Sequence, residues 1–364
     1  MAIFKENAPH LRRKASVTRM MADVLIALAP TLIFSFVVYG LNALWVYLIS
    51  VFIMISAEFL ACGIQNKFKF NKPGVFGVNN VLTAAISAVI YMLIMPAGAP
   101  LYAVAIGALA GIVLGKLVFG GLGSNIFNPA AVGMLFAKVC FGSQYAKNVP
   151  TWYYTVADVS ISPTVLTNTA DSGLNGLISN MGNSNLFDMF LGRMYGTLGE
   201  VFSITIIIGG VYLLIRRSAD FRVMLPYLGG VALFSLIAGL GFFAVDRVTN
   251  PFQFMLFSLL SGGVLFGGVF MLTDPVTSPI NSPSRIIYAL VAAVFTIFIR
   301  LFAALPEGVG FSILIANMVA CVLDHYEWSS SKYSQWKIIT MALLVIIPAA
   351  VIFLVIRFGG VYHA

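Results

Sequence analysis

Charge is what this 364-residue sequence has least of: Asp, Glu, Lys and Arg together make up 9%. A soluble globular domain carries roughly 25%. With 60% of the residues hydrophobic, too little polar surface remains to cover a particle in water. A soluble enzyme is thereby excluded, and lipid is the implied solvent. Cysteine is scarce as well. Cys62, Cys140 and Cys321 lie far apart and form no CxxC pair, so neither a disulfide framework nor a cysteine metal site is indicated. Small apolar packing residues in helices are the plainer reading. The three histidines, His10, His325 and His363, lie near the chain ends. With no Ser-His-Asp set or metal cluster in view, hydrolytic or metal catalysis is not expected.

What is present is a series of long apolar runs, near residues 21–38, 45–64, 78–95, 101–119, 128–140, 201–215, 225–244, 252–272, 287–304, 311–323 and 338–356. A helix needs about 20 apolar residues to cross a bilayer, and barrel strands need only about 10 alternating ones. The runs predict an all-α polytopic membrane protein of eleven spans. Some twenty residues precede the first run and no small-residue cleavage site follows it, so it does not read as a cleaved signal peptide. The net charge of +8 suggests nucleic acid until its distribution is considered. With the N-terminus inside and sides alternating, fifteen of the 21 Lys and Arg residues fall on the inner side and six on the outer. That is the positive-inside bias, so basicity reports topology and no nucleic-acid partner is expected.

An internal repeat is visible. Met92-Leu93-Ile94-Met95-Pro96 with Pro100 matches Met271-Leu272-Thr273-Asp274-Pro275 with Pro279, at a constant offset of 179 residues. A weaker match pairs residues 126–132 with 313–319. Five spans per unit would set the second copy upside down, an inverted-topology repeat of the kind that places sites at broken helices between halves. The eleventh span is then an addition. This divides the chain into a first five-span unit (1–142), a loop (143–198), a second five-span unit (199–327) and an extra span (328–364).

Polar backbone at membrane depth is tolerated only where protein buries it or it lines a cavity. The stretch 120–129, with Asn125, Asn128 and Pro129, is one such place. Asn125 and Asn128 are three apart, so one helical turn could aim both the same way, and Pro129 suits a helix start. Its counterpart, 273–279, holds Asp274, an acid at the end of a span and so a functional candidate. Helix capping for Asn128 and a loop position for Asp274 are the alternatives. The loop 142–198 is rich in Ser, Thr, Asn and Gly and too long for a mere connector. Under this topology it lies outside.

Four segments carry a family resemblance: 120–133 with its Asn-Ile-Phe-Asn-Pro-Ala; 158–166; 190–200 with its Gly-Thr-Leu-Gly-Glu; and 273–279. Together they resemble the D subunit of the Rnf electron-transport complex and its relative, the B subunit of the sodium-pumping NADH:quinone reductase. The resemblance implies a bacterial inner-membrane flavoprotein subunit, passing electrons in a process coupled to Na⁺ or H⁺ movement. It implies FMN joined through a phosphoester to a threonine, and the matching residue is Thr164, between Asp158 and Leu166. Ile161 stands where that motif commonly has a hydroxyl residue, and Pro163 where it has alanine; Thr155, Thr167 and Thr169 lack the flanking pattern. A second, non-covalent flavin, riboflavin, is implied at Asn125, Asn128 and Asp274, with Thr197 and Glu200 near the FMN. Glu200 could gate a cation, or could be a carboxylate favoured at a helix N-terminus. The implied partners are the other Rnf subunits, among them an outer-side FMN-carrying G-type subunit and iron–sulfur subunits. The rival expectation is a solute channel or transporter of inverted-repeat type without redox activity, which has no need of residues 158–166.

Overall fold

The computed structural model describes residues 16–65, 76–142, 186–192, 196–303, 308–325, 328, 330 and 332–358. Thr164, Asp158 and the rest of the loop from 143 to 185 therefore lie outside the described residues. All regular structure among the described residues is helical. The helices are α1 (Val17–Tyr39), α2 (Leu41–Gln65), α3 (Val78–Ile94), α4 (Leu101–Gly115), α5 (Pro129–Phe141), the short α6 (Leu186–Leu191), α7 (Ser203–Arg216), α8 (Phe221–Phe243), α9 (Pro251–Leu260), α10 (Val264–Met271), α11 (Ser282–Phe302), α12 (Val309–Leu323) and α13 (Gln335–Phe358).

Six of these helices are long and apolar enough to cross a membrane, α4 being one of them together with the short turn that extends it to Phe119; α9 and α10 qualify together as one broken span, and α3, α5, α7 and α12 are shorter apolar helices. Each of the eleven apolar runs thus becomes helix, and the chain is a multi-pass membrane protein. Large apolar side chains such as Phe52, Val139, Ile215 and Trp336 face outward, as a lipid solvent requires.

Local chemistry sets where the helices begin and end. Ser16 caps α1 by accepting from the Arg19 N–H, and Asp220 caps α8 by accepting from that of Arg222. Asn128-Pro129 opens α5 and Asn250-Pro251 opens α9. In both, the Asn side chain accepts from free backbone N–H groups, and proline occupies the first position, where it has no N–H to waste.

Helix contacts follow small residues. On α4, Gly107, Gly111 and Gly115 form a stripe against α5. A Cβ on Gly111 would come within 2.5 Å of the Pro129 carbonyl oxygen, and one on Gly133 within 2.7 Å of that of Gly107. Without a hydrophobic drive between helices in lipid, close backbone approach supplies the packing energy. The neighbour scheme recurs across the halves: α2 packs on α3 and α4 as α8 packs on α9 and α11, and α4 packs on α5 as α11 packs on α12. α13 packs outside this scheme, against α8 and α11. The weaker sequence match differs in local structure: Ile313 lies inside α12, whereas Ile126 and Phe127 precede α5 in irregular chain.

The second half breaks its helix where the first does not. Between α9 and α10 the axis bends by 61° at Gly262 and Gly263, with φ of 61° and 71°, a conformation glycine adopts without strain. A break exposes carbonyls that have no water to bond in a bilayer. Arg300 of α11, itself buried, supplies the donors. Its guanidinium donates to the carbonyl oxygens of Ser258 (2.7 Å), Ser261 (2.9 Å) and Gly262 (2.8 Å).

Candidate functional site

The middle of α3, the irregular stretch before α5 and the end of α10 with the residues just after it converge on one cavity. Its polar lining comes from Thr83, Ser87, Lys116, Asn125, Asn128, Ser218 and Asp274; Met21, Ile90, Leu213 and Phe270 supply apolar wall. Asn125, Asn128 and Asp274, expected to act together from sequence, do line the same space although 146 residues of chain separate the last two.

The two asparagines do so differently from expectation. They do not share a helical turn. Asn125 lies in the irregular chain before α5, and Asn128 is the cap. Asn128 Oδ1 accepts from the N–H groups of Ala130 (3.0 Å) and Ala131 (3.4 Å), and its Nδ2 donates to the Met271 carbonyl (3.4 Å). This one side chain starts a helix of the first half and holds the last turn of a helix of the second. Asn125 donates to the Phe127 carbonyl at 3.4 Å, and its Oδ1 accepts from no side chain or backbone group among the described residues, so acceptor capacity is left for the cavity.

Asp274 follows a five-residue π-helical segment, Gly267–Met271, the wider turn that tends to occur at functional positions. Its carboxylate accepts from the Val276 N–H and the Thr277 hydroxyl, both at 3.3 Å. Thr83 and Lys116 were not singled out by sequence. Lys116 was counted as an inner-side charge, yet it is buried in the cavity wall, with its Nζ 3.0 Å from Glu58 Oε2 and 3.0 Å from Thr83 Oγ1. Arg300, counted on the outer side, and Lys337, counted on the inner, are buried too. Without these three the bias is thirteen against five and keeps its direction.

Asp23 on α1 ties the cavity rim to α7, accepting from Ser218 Oγ (2.8 Å), Tyr212 Oη (3.3 Å) and Arg216 Nη2 (3.1 Å). The only signal for it in the sequence was an isolated acid within an apolar run.

Thr197 and Glu200 lie elsewhere, in the segment that leads into α7. Leu198 and Gly199 donate from their N–H groups to the carbonyls of Met95 (3.1 Å) and Leu93 (2.7 Å), which staples this segment to the end of α3. Glu200 reaches the helix break, where a Cβ on Gly263 would lie 2.3 Å from its Oε1. Thr197 is buried with no partner for its hydroxyl among the described residues. Of the cysteines, only Cys62 is buried, beside Asn80; Cys140 and Cys321 sit on outward helix faces rather than in packed ones.

Helices from both halves of the chain, meeting at a partly polar cavity, define a multi-pass membrane protein with a cavity at the seam between its halves. Comparison with known proteins specifies the family: residues 4–332 match the model of the NQR2, RnfD, RnfE family, and the chain belongs to it. It is 30% identical to the D subunit of the proton-translocating ferredoxin:NAD(+) oxidoreductase complex of Clostridium ljungdahlii, over 88% of this chain and 93% of that one. It is 31% identical to the D subunit of the Na(+)-translocating ferredoxin:NAD(+) oxidoreductase complex of Acetobacterium woodii, over 88% and 92%. Against the B subunit of the Na(+)-translocating NADH-quinone reductase of Chromohalobacter salexigens it is 36% identical over 66% of its length. There the match spans only 57% of the relative.

Proposed function

We propose that this chain is the membrane subunit of an ion-translocating electron-transport complex, with a flavin bound in the cavity of Asn125, Asn128 and Asp274. The observation that carries the reading is the convergence of these three residues, from two halves of one chain, on a cavity with apolar walls and a polar edge. The two D-type relatives, matched over nearly their whole length, are named for ferredoxin:NAD(+) oxidoreductase complexes. The inward-facing topology, the inverted relation of the halves and the coupled ion, Na⁺ or H⁺, belong to the same proposal.

The lining of the cavity has the chemistry that riboflavin asks for. A planar ring with one polar edge asks for apolar faces and a few convergent donors and acceptors, and Met21, Ile90, Leu213 and Phe270 lie with Asn125, Ser87 and Lys116 around this space. When bound, the flavin supplies the electron-carrying chemistry, which no side chain can. The chain supplies the rest. Asn125 offers its uncommitted carboxamide oxygen to a ring N–H. Asn128, committed to Ala130 and Met271, fixes the width of the cavity. The apolar walls exclude water and so keep the potential of the site from being averaged by solvent.

The covalent FMN is proposed on Thr164, in the loop that would face outward. Expressed with a flavin-attaching enzyme and denatured on a gel, the chain should fluoresce under ultraviolet light, and mass spectrometry should find one FMN adduct on the peptide holding Thr164. Thr164→Val should darken the band. A parent band that stays dark, with no flavin extracted from the native protein, sinks the redox reading and favours a channel. Fluorescence that survives Thr164→Val sinks only the assignment of the threonine.

A further inference from the structure

Among the described residues Lys116 is the one cation that lines the cavity, and the proposed reading gives its charge no role. It stands just after α4, in a wall made otherwise of apolar groups, hydroxyls, two amides and the carboxyl of Asp274. Its relative exposure is 3% and that of Glu58 is 1%. A buried ion pair gives little net stability, because desolvation offsets the attraction. Replacing both partners by apolar residues would serve packing as well, so the pair calls for a role in charge.

The geometry shows how that charge is aimed. An ammonium group has three hydrogens. Thr83 Oγ1, at 3.0 Å, takes one of them, and Glu58 Oε2 lies at 3.0 Å as the partner of the charge. No other hydrogen bond holds the ammonium among the described residues, and Lys116 lines the cavity. Glu58 is in turn fixed by Asn80, whose Nδ2 donates to its Oε1 at 3.2 Å. Glu58 belongs to α2, Asn80 and Thr83 to α3, and Lys116 follows α4, so three helices hold this cation in one place. Asp274 lines the same cavity. Its carboxylate is engaged by Val276 and Thr277 and makes no ion pair with Lys116.

We propose that Lys116 is the fixed positive charge that favours reduction of a planar redox ring in this cavity, with Glu58 as the positioning residue that sets how much of that charge the ring meets. The inference rests on the flavin reading of the cavity. One electron from an external reductant adds one negative charge to the ring. Lys116 keeps its proton and offsets that charge across a dry wall, so reduction needs no proton from solvent. The amides of Asn125 and Asn128 orient the ring but carry no charge, whereas the ammonium of Lys116 presents one from a fixed place.

The test uses the full-length chain carrying Thr164→Val, so that only cavity-bound flavin titrates. Riboflavin is extracted and quantified, and its one-electron potential is measured by spectroelectrochemical titration with dithionite. Lys116→Gln should make reduction at least about tenfold less favourable, which is about 59 mV for one electron. Glu58→Gln, which unmasks the ammonium, should move the potential the other way, and Lys116→Arg should hold it near the parent value. A merely structural pair would change stability and leave the potential alone. Parent potential in Lys116→Gln with riboflavin retained overturns the inference but not the cavity reading. Absence of riboflavin from the parent overturns both. Where Lys116→Gln does not keep riboflavin, Glu58→Gln decides, and an unmoved potential there overturns the inference.

Discussion

Arg300→Met tests whether one side chain completes the broken span. The substitution keeps length and apolar bulk but removes the donors to the carbonyls of Ser258, Ser261 and Gly262. Hydrogen bonds within membrane proteins average about 0.6 kcal/mol each, with a maximum of about 1.7. Three of them are worth about 2–5 kcal/mol together. The upper part of that range is expected here, because the acceptors are buried carbonyls at a break and nothing replaces their donor. Arg300→Lys should recover only part of the loss, since a compact ammonium cannot fork to three oxygens as a guanidinium does. Reversible unfolding by SDS titration in mixed micelles reads the difference directly. Stability of Arg300→Met within about 0.5 kcal/mol of the parent, a surface-substitution effect, would refute the account. Equal stability of the Lys and Met variants would refute the fork geometry alone.

Two further substitutions probe the frame of the cavity. Gly111→Ala places a methyl group 2.5 Å from a backbone oxygen of Pro129. The α4–α5 contact must open, at about 1–3 kcal/mol, visible as a lowered SDS midpoint, and a midpoint unchanged from the parent would show that the helices have slack. Asn128→Ala removes the cap of α5 and its bond to Met271. It should cost about 1 kcal/mol for the cap, whereas Asn128→Asp should keep the cap and lose the Met271 bond, and riboflavin content separates the two effects.

The spans were readable because lipid leaves a simple composition signal, and their order followed from it. The cavity was half readable. Asn128-Pro129 declared a helix start, and Asp274 stood out as an acid at the end of an apolar run. Lys116 and Arg300 did not stand out, because a charge count along the chain treats every cation near a span end as a loop charge. Only the folded structure shows that Glu58 and Thr83 surround one, and the carbonyls of a broken helix the other. Asp23 hid for a similar reason: its partners Tyr212, Arg216 and Ser218 come from α7 and the residues just after it, nearly two hundred positions away. The break at Gly262-Gly263 was invisible to hydropathy, which averages across two glycines without registering a 61° bend.

The bond from Asn128 to Met271 spans 143 residues of sequence, and this sets a timetable for biosynthesis. Chains grow at about 5–20 residues per second, so the carbonyl of Met271 is made about 7–30 s after Asn128. Through that interval the inserted first half carries Lys116, Asn125 and Asn128 in the bilayer with no second wall to cover them. Glu58 and Thr83 come earlier in the chain than Lys116 and can pair with it at once, and the Asn128 cap needs only Ala130 and Ala131. The first half therefore brings its own partners for its most costly groups, and only the face that will meet α10 waits.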